Sequence, residues 1–332
     1  MNQLSRINRG IARRLRPRLD RIRQRVEATR ESHGRPDAYS IEVRGGPETA
    51  VEEYWSGYTV ASSPFLSAAG SLRHLALRDK IYPLFHELLE LWGDHQDRVV
   101  LDYGCGPAND VVGFLVHGKA SQVIGVDVSA TSLYLDRRRL ALHNIDPVRV
   151  RLIKVSDAVP TIPLPDDSVD HIYCEGVLHH TSYPNELLAE FRRVLRPNGR
   201  ALVMVYNHDS LFLHLYVAYV RQILDQSRGD LPTDEAFSFN TDGEGVPISR
   251  PYPPEMFASM CQVAGFEVAF RGGYFYGFEE LSEWRHRSPF ALHDARLGAD
   301  HRSFLAGLVV DERGFPTWHG RYAGIGGTFE LR

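Results

Sequence analysis

Cysteine is scarce in this chain of 332 residues. The three cysteines, Cys105, Cys174 and Cys261, lie far apart and form no CxxC pair. This pattern excludes a disulfide framework and a cysteine zinc site, and it is typical of proteins in a reducing cytosol. We therefore predict a cytoplasmic protein and assign no metal ligands.

Long apolar runs are missing as well. None approaches the roughly 18 residues of a membrane span, and the N-terminal charges are not followed by the apolar segment of a secretory signal. Hydrophobic residues still make up 43% of the chain, which is an ordinary share for a globular protein. The sequence therefore predicts a soluble protein with a sizeable core.

Negative charge is scarce only at the start of the chain. The formal net charge is −4, but residues 1–36 hold eleven arginines against Asp20, Glu27 and Glu31, a local charge of +8. The remainder is acidic, which argues against a protein that binds nucleic acid along its whole length. No nucleic-acid partner is expected.

The basic arm has helical periodicity. Its apolar residues recur at steps of three or four, and Pro17 divides them into two short amphipathic helices. Such arginine-rich helices favour a peripheral contact with a membrane or a protein through residues 1–33. A solvated extension, a helix packed on the body and a mitochondrial presequence are the alternatives.

Strands alternate with helices after residue 94. Buried-strand patterns occur at 98–103, 122–127, 148–155, 169–174 and 200–206. Helical segments between them, such as 130–143 and 184–195, favour an α/β fold in which helices cover both faces of a mostly parallel sheet. A helix at 254–264 and strands at 266–270 and 325–331, the last antiparallel, complete a prediction of seven strands.

These elements divide the chain into five parts. Two of the parts contain insertions on the carboxyl side of the sheet, where ligands bind, and this position predicts a lid. The parts are 1–36 (basic arm), 37–94 (a linker, over 34–47, and a helical cap), 95–206 (cofactor-binding core), 207–253 (lid insertion) and 254–332 (the end of the sheet, with a second insertion at 272–321).

A glycine turn follows the first of these strands. The strand ends in Asp102 and continues through Gly104 and Gly106 into a helix. Glycines let the backbone turn sharply and approach a ligand closely. Asp127 closes the next strand, where it is placed to accept hydrogen bonds from two ribose hydroxyls. Asp157 follows the third strand, where an acid can accept from an adenine amino group.

Together these motifs resemble those of class I S-adenosylmethionine-dependent methyltransferases of the small-molecule branch. That family has a D-x-G-x-G-x-G turn, an acid closing strand two, D-A after strand three and V-L-H-H beyond strand four. Residues 177–180 read VLHH, and LRPNGRALV at 195–203 is similar to the family's L-x-P-G-G stretch. The resemblance implies a doubly wound, Rossmann-like fold and S-adenosylmethionine as the cofactor.

The resemblance also implies a cofactor site. Asp102 and Gly104 would line the methionine part, Asp127 the ribose, and Asp157 with Ala158 the adenine. Ala108 stands where the family often has its third glycine, which is tolerable if φ stays negative there. The candidate cofactor-binding residues are Asp102, Gly104, Cys105, Gly106, Asp127, Val128, Asp157, Ala158 and Glu175.

The sequence signals for the catalytic and acceptor-binding residues are less specific than those for the cofactor site. Methyl transfer needs a base only if the acceptor must lose a proton. The catalytic candidates are His179, the preferred base, and His180, although either can instead shape the helix start. The candidate acceptor-binding residues are Tyr206, Asn207, Arg250 and Tyr252. We expect in-line transfer to oxygen or nitrogen of a small molecule, and aromatic residues in the lid favour an apolar or ring-bearing one.

Two other functions compete with methyl transfer. A nicotinamide-dependent dehydrogenase needs G-x-G-x-x-G, but Asn109 occupies the third glycine position. A non-catalytic protein that binds S-adenosylmethionine and acts through the basic arm is the second alternative. Nothing in the sequence breaks the pocket, which disfavours that alternative.

Overall fold

The computed structural model describes residues 35–60, 65–243 and 245–332, apart from the side chain of Asp79. The predicted amphipathic arm therefore lies outside the described residues. In the described part, no helix combines the length and the apolar character needed to cross a membrane.

An eight-stranded sheet forms the centre of the fold. Its strand order is β1-β4-β3-β2-β5-β6-β11-β7, and only β11 runs antiparallel to its neighbours. The prediction of an antiparallel final strand is confirmed. The strands are β1 (Ile41–Val43), β2 (Val99–Tyr103), β3 (Gln122–Asp127), β4 (Val150–Lys154), β5 (Val169–Glu175), β6 (Leu195–Tyr206), β7 (Val268–Tyr274) and β11 (Gly326–Leu331).

The eighth strand corrects the prediction of seven. Strand β1 lies within residues 34–47, which the sequence predicts to be a linker, and its Ile41 pairs in parallel with Leu152 of β4. Three residues bounded by turn-forming residues give no usable period-two signal. Strand β6 also differs, because it begins at Leu195 rather than at residue 200 and includes Pro197 and Gly199.

Helices cover both faces of the sheet because successive strand residues point to opposite sides. Val100 joins one buried cluster with the helices at 109–116 and 130–142, whereas Leu101 joins a second cluster with the helices at 184–194 and 254–263. The helices are α1 (Ala50–Gly57), α2 (Ala68–Ile81), α3 (Phe85–Leu89), α4 (Asn109–Val116), α5 (Ala130–Leu142), α6 (Pro184–Val194), the π-helix (Phe212–Leu224), α7 (Thr233–Ser238), α8 (Pro254–Val263), α9 (Phe278–His293) and α10 (Ala299–Ala306).

The later insertions pack against one another over the carboxyl edge of the sheet. The π-helix and α7 come from the first insertion. Helices α9 and α10, with a small antiparallel sheet of β8 (Val309–Val310), β9 (Pro316–Trp318) and β10 (Arg321–Tyr322), come from the second. Leu215 and Phe304 share one apolar cluster, so the π-helix is held against α10.

Candidate active site

A cavity of about 620 Å³ opens at the carboxyl ends of the central strands. Residues at the ends of β2, β3, β5 and β6 form its floor. Its walls come from α1, the π-helix and α9, which contribute Trp55, Phe212 and Glu279 among others. The cavity therefore lies where parallel α/β sheets place their ligands.

The glycine turn forms one end of the cavity. Gly104 and Gly106 both have positive φ, +81° and +53°. A Cβ on Gly104 would lie 2.1 Å from Cγ2 of Val177, whereas one on Gly106 would meet nothing within 4 Å. Gly104 is thus required for packing, while Gly106 leaves its backbone open toward the cavity. Cys105 and Val128 also line this end.

Ala108 does not have the negative φ that the sequence analysis requires of it. Its φ is +57°, in the left-handed region, and it is fully buried at the start of α4. The left-handed conformation costs an L-residue roughly 1–2 kcal/mol. Burial of the alanine methyl group, worth about 0.8 kcal/mol, offsets part of this cost.

The carboxylate of Asp127 fixes the glycine turn by hydrogen bonding. Its Oδ2 accepts a hydrogen bond from the backbone N–H of Gly106 at 2.8 Å, and its Oδ1 accepts from that of Ser129 at 2.7 Å. The carboxylate lines the cavity and keeps further lone pairs. It can therefore hold the turn and still accept from a ligand hydroxyl.

Asp157 lines the cavity beyond Asp127. It accepts hydrogen bonds from the hydroxyls of Thr181 and Ser182, each at 2.6 Å, which fixes the loop after β5. Its own backbone N–H donates to Glu52 of α1 at 3.2 Å. The segment after β4 is therefore hydrogen-bonded both to the loop after β5 and to helix α1.

A buried cluster of charge surrounds Asp102. Its Oδ2 is buried and has no hydrogen-bond partner among the described residues. Burial, and then the charge of Asp110, raise the pKa of Asp102 well above its usual range. Arg78 forms a bidentate pair with Asp110, and Glu175 accepts from the Tyr274 hydroxyl at 2.7 Å.

The opposite wall holds a hydrogen-bonded trio. Asp242, from the lid, accepts from the Tyr206 hydroxyl at 2.6 Å, and Nε2 of His180 lies 3.1 Å from the same carboxylate oxygen. Nδ1–H of His180 donates to the carbonyl of Ile248 at 2.6 Å. Burial raises the pKa of Asp242, but the hydrogen bonds from His180 and Tyr206 outweigh it and hold that pKa below its ordinary value.

His179, the preferred base in the sequence analysis, does not line the cavity. It is fully buried, and its Nδ1 accepts from the backbone N–H of Tyr206 at 3.2 Å. Its ring lies 3.8 Å from the Tyr206 ring, centroid to centroid. Burial, and then His180, lower the pKa of His179 well below its usual range. These contacts give His179 a packing role, while its Nε2 is buried without a partner among the described residues, and no contact in the structure supports its role as the base.

Four other candidates also lie outside the cavity lining. Asn207 donates to the carbonyls of Asp209 and Gly324, and Tyr252 pairs with the backbone of Tyr206. Arg250 donates to the carbonyl of Thr181, and the N–H of Ala158 donates to Ser156. These residues are held in place by contacts within the fold, and their direct contact with a ligand stays a prediction. The candidates that do line the cavity are Asp102, Gly104, Cys105, Gly106, Asp127, Val128, Asp157, Glu175, His180 and Tyr206.

An apolar chamber adjoins this wall. It is built from the π-helix and from Tyr276, and acids of α9 stand beside it. Glu280 accepts from the N–H of Tyr276 with one oxygen, while its Oε1 is buried and unpartnered among the described residues. Burial raises the pKa of Glu280 to about 8. The chamber residues are Leu211, Phe212, Leu215, Tyr216, Val220 and Tyr276, and the acids beside it are Glu279, Glu280 and Glu283.

Asp242 and Glu280 are two acidic cavity residues that are absent from the candidates drawn from the sequence. Asp242 lies in the same lid insertion as the candidates Arg250 and Tyr252, directly before Gly243. An acid at a glycine turn inside a lid was the available signal. Glu280 gives no such signal, because it lies in an ordinary amphipathic helix.

Comparison with known proteins places this site in a family. Residues 101–203 match a family described as a methyltransferase domain. The ubiquinone/menaquinone biosynthesis C-methyltransferase UbiE of Azotobacter vinelandii is 30% identical over 183 residues, which are 54% of this chain and 70% of that protein. The chain belongs to the class I S-adenosylmethionine-dependent methyltransferases.

Other curated relatives of this methyltransferase are matched over a smaller share of their length. An uncharacterised 37.1 kDa protein of transposon Tn4556 in Streptomyces fradiae is 38% identical over 162 residues, 47% of this chain and 45% of that protein. The chain spans about half the length of the first curated relatives that it matches. A methyltransferase structure from Mesorhizobium loti aligns with 80% of this chain and 100% of its own, at 16% identity and a TM-score of 0.46.

The residues around the glycine turn fit the family's cofactor, S-adenosylmethionine. The unpartnered Oδ2 of Asp102 can accept from an ammonium group, and the open space beside Gly106 leaves room for a ligand against the backbone. Asp127 and Asp157 follow in the order that the ribose and the adenine require. The surplus of buried acids also suits a cofactor that carries a sulfonium cation.

Proposed function

We propose that this protein transfers the methyl group of S-adenosylmethionine to an oxygen or nitrogen atom of a small, largely apolar acceptor. One observation carries the proposal: a single cavity is lined by the strand-end acids, by the aromatic residues of the chamber and by Asp242. The cofactor supplies an activated methyl group, so positioning of the two reactants is the enzyme's main contribution.

The charge of the cavity limits the acceptor class. Nine acidic side chains of the described residues line it, against one arginine, Arg78, which is paired with Asp110. An anionic acceptor would be repelled by those acids that are ionised, such as Asp242, whose pKa is held low. The chamber therefore suits a neutral or cationic acceptor with an aromatic or alicyclic body and a hydrogen-bond donor.

We propose Asp242 as the group that receives the acceptor's proton. Both ring nitrogens of His180 are engaged, one by Ile248 and the other by Asp242 itself. His180 and Tyr206 keep the carboxylate ionised and oriented. An oxygen or nitrogen that is being methylated becomes strongly acidic, so a carboxylate of low pKa is basic enough to take its proton.

An extract-labelling experiment tests the proposed function. The full-length protein is incubated with methyl-labelled S-adenosylmethionine and the small-molecule fraction of a cell extract, and labelled products are identified by mass spectrometry. We expect a labelled apolar product, absent with Asp242→Asn. Binding of the cofactor with no labelled product would instead favour the non-catalytic alternative.

Methylation of carbon is the second candidate. The name of the Azotobacter vinelandii relative, a C-methyltransferase, is the observation that favours it. A carbon acceptor would still need a base to remove its proton, which Asp242 could supply. The NMR spectrum of the labelled product decides between the two, because a methyl on oxygen, nitrogen or carbon has a distinct carbon shift.

A further inference from the structure

Three metal-ligating side chains meet at the carboxyl end of β6, outside the cavity. His208 and Asp209 lie just beyond that strand, and His214 lies near the start of the π-helix. One ligand atom from each lies within 4.8 Å of those of the other two. In the part of the chain that the structure describes, no other group of histidine, cysteine and acid side chains meets this condition.

His214 supplies an independent observation. It is 5% exposed, and its Nε2 is buried without a hydrogen-bond partner among the described residues. Buried polar atoms in native proteins nearly always have a partner, and an ion absent from the coordinates is one reason for an exception. The unpartnered nitrogen belongs to a residue of the cluster itself.

The other nitrogen of His214 is already held. Its Nδ1 lies 2.8 Å from Nδ1 of His301 on α10, and Nε2 of His301 lies 3.3 Å from the Thr233 hydroxyl. A metal-binding histidine commonly has its second nitrogen fixed by an outer hydrogen bond, which sets the tautomer and the ring orientation. His214 has this arrangement, with Nε2 left as the ligand atom.

We propose that His208, Asp209 and His214 bind a zinc ion, with His214 ligating through Nε2. Two imidazoles and a carboxylate are donors that zinc accepts, and a water would complete a tetrahedron. Ligand atoms in such a site are roughly 3.4 Å apart, given metal–ligand bonds near 2.1 Å. Nδ1 of His208 and Oδ1 of Asp209 lie 3.0 Å apart, and both side chains are part exposed, so rotation that exchanges this contact for the ion can close the remaining gap.

The site would hold the lid in place. The ion would link the end of β6 to the π-helix, whose Phe212, Leu215 and Tyr216 line the acceptor chamber. None of the three ligands lines the cavity, so the ion takes no part in methyl transfer. The inference does not depend on the proposed function.

Zinc binding by the full-length, tag-free protein tests the proposal. The protein is stripped with a chelator and titrated with Zn²⁺, with bound metal measured by mass spectrometry. We expect about one ion per chain and a rise in melting temperature. Affinity should fall more than about 100-fold in His208→Ala and in the isosteric Asp209→Asn, since loss of outer partners alone costs 10- to 100-fold.

An exposed histidine provides the matched control. His286 lies on the surface of α9, away from the cluster, and His286→Ala should bind zinc as the wild type does. The proposal is overturned if the wild type binds no zinc at micromolar concentration. It is also overturned if folded His208→Ala and Asp209→Asn bind zinc as tightly as His286→Ala does, which would show adventitious binding.

Discussion

Nε2 of His180 lies 3.1 Å from Oδ2 of Asp242, although the two residues are 62 positions apart in the chain. His180 lies in the loop after β5, whereas Asp242 lies in the lid insertion. Their contact joins the cofactor-binding core to the insertion that covers it. The proposed proton acceptor, Asp242, therefore meets His180 only when the lid is in place.

Loss of the Asp242 charge should slow the reaction. With an acceptor identified by labelling, Asp242→Asn should lower kcat by roughly 10²–10⁴-fold, the usual effect of removing a general base. Cofactor affinity should barely change. Asp230→Asn, an exposed acid of the same lid, is the matched control. A near-normal kcat in Asp242→Asn would show that positioning alone carries the reaction.

His179→Ala should affect stability more than rate. The substitution leaves the N–H of Tyr206 unpaired in the core, at a cost of about 1–3 kcal/mol. Because burial lowers the pKa of His179 in the folded state, its contribution to stability is present above about pH 6.5. That contribution is lost as pH falls below this value, since the unfolded chain binds the proton more readily.

Urea denaturation at several pH values measures both effects of this change. The free energy of unfolding of His179→Ala should lie below that of the wild type at pH 7.5, and the two should converge as the pH falls toward 5. A kcat loss beyond about 100-fold in the folded variant, comparable to general-base removal, would return His179 to catalysis.

The two glycines of the turn should respond differently to alanine. Gly104→Ala brings a Cβ to 2.1 Å from Val177 and should destabilise the protein strongly, whereas Gly106→Ala meets no neighbour. Gly106→Ala should therefore cost only the left-handed backbone strain, roughly 1–2 kcal/mol. Chemical denaturation measures both. The double variant Gly104→Ala, Val177→Ala should recover part of the loss, and its failure to do so would discount the clash.

Asp127→Ala should weaken the cofactor site. It removes an acceptor for ligand hydroxyls and also frees the Gly106 N–H that the carboxylate holds. Each charge-assisted hydrogen bond contributes roughly 1.5–3 kcal/mol, so affinity for S-adenosylhomocysteine should fall at least about tenfold. Calorimetry measures it, with Asp146→Ala, an exposed acid on the β3–β4 connection, as the control. Unchanged affinity in a folded Asp127→Ala would remove this residue from the site.

Local sequence patterns were enough to predict the cofactor-binding core but not the contact between His180 and Asp242. Asp102, Asp127 and Asp157 each end or follow a strand, and parallel strands bring those ends to one edge, so sequence order alone places them together. Asp242 meets His180 only through the packing of the lid, which leaves no periodic trace in the chain. The left-handed φ of Ala108 was equally hidden, because its cost is met by tertiary burial.

Helix α1 touches both halves of the cavity at once. Glu52 accepts from the backbone N–H of Asp157 on the adenine side, while the Tyr54 hydroxyl donates to the Asp242 carbonyl and the Trp55 ring lies 4.9 Å from that of His180. A ligand that fixes the position of helix α1 through Asp157 would therefore also fix the position of Asp242 and His180. We therefore expect the affinities for cofactor and acceptor to be coupled, and by thermodynamic reciprocity each ligand would then raise the affinity for the other by the same factor.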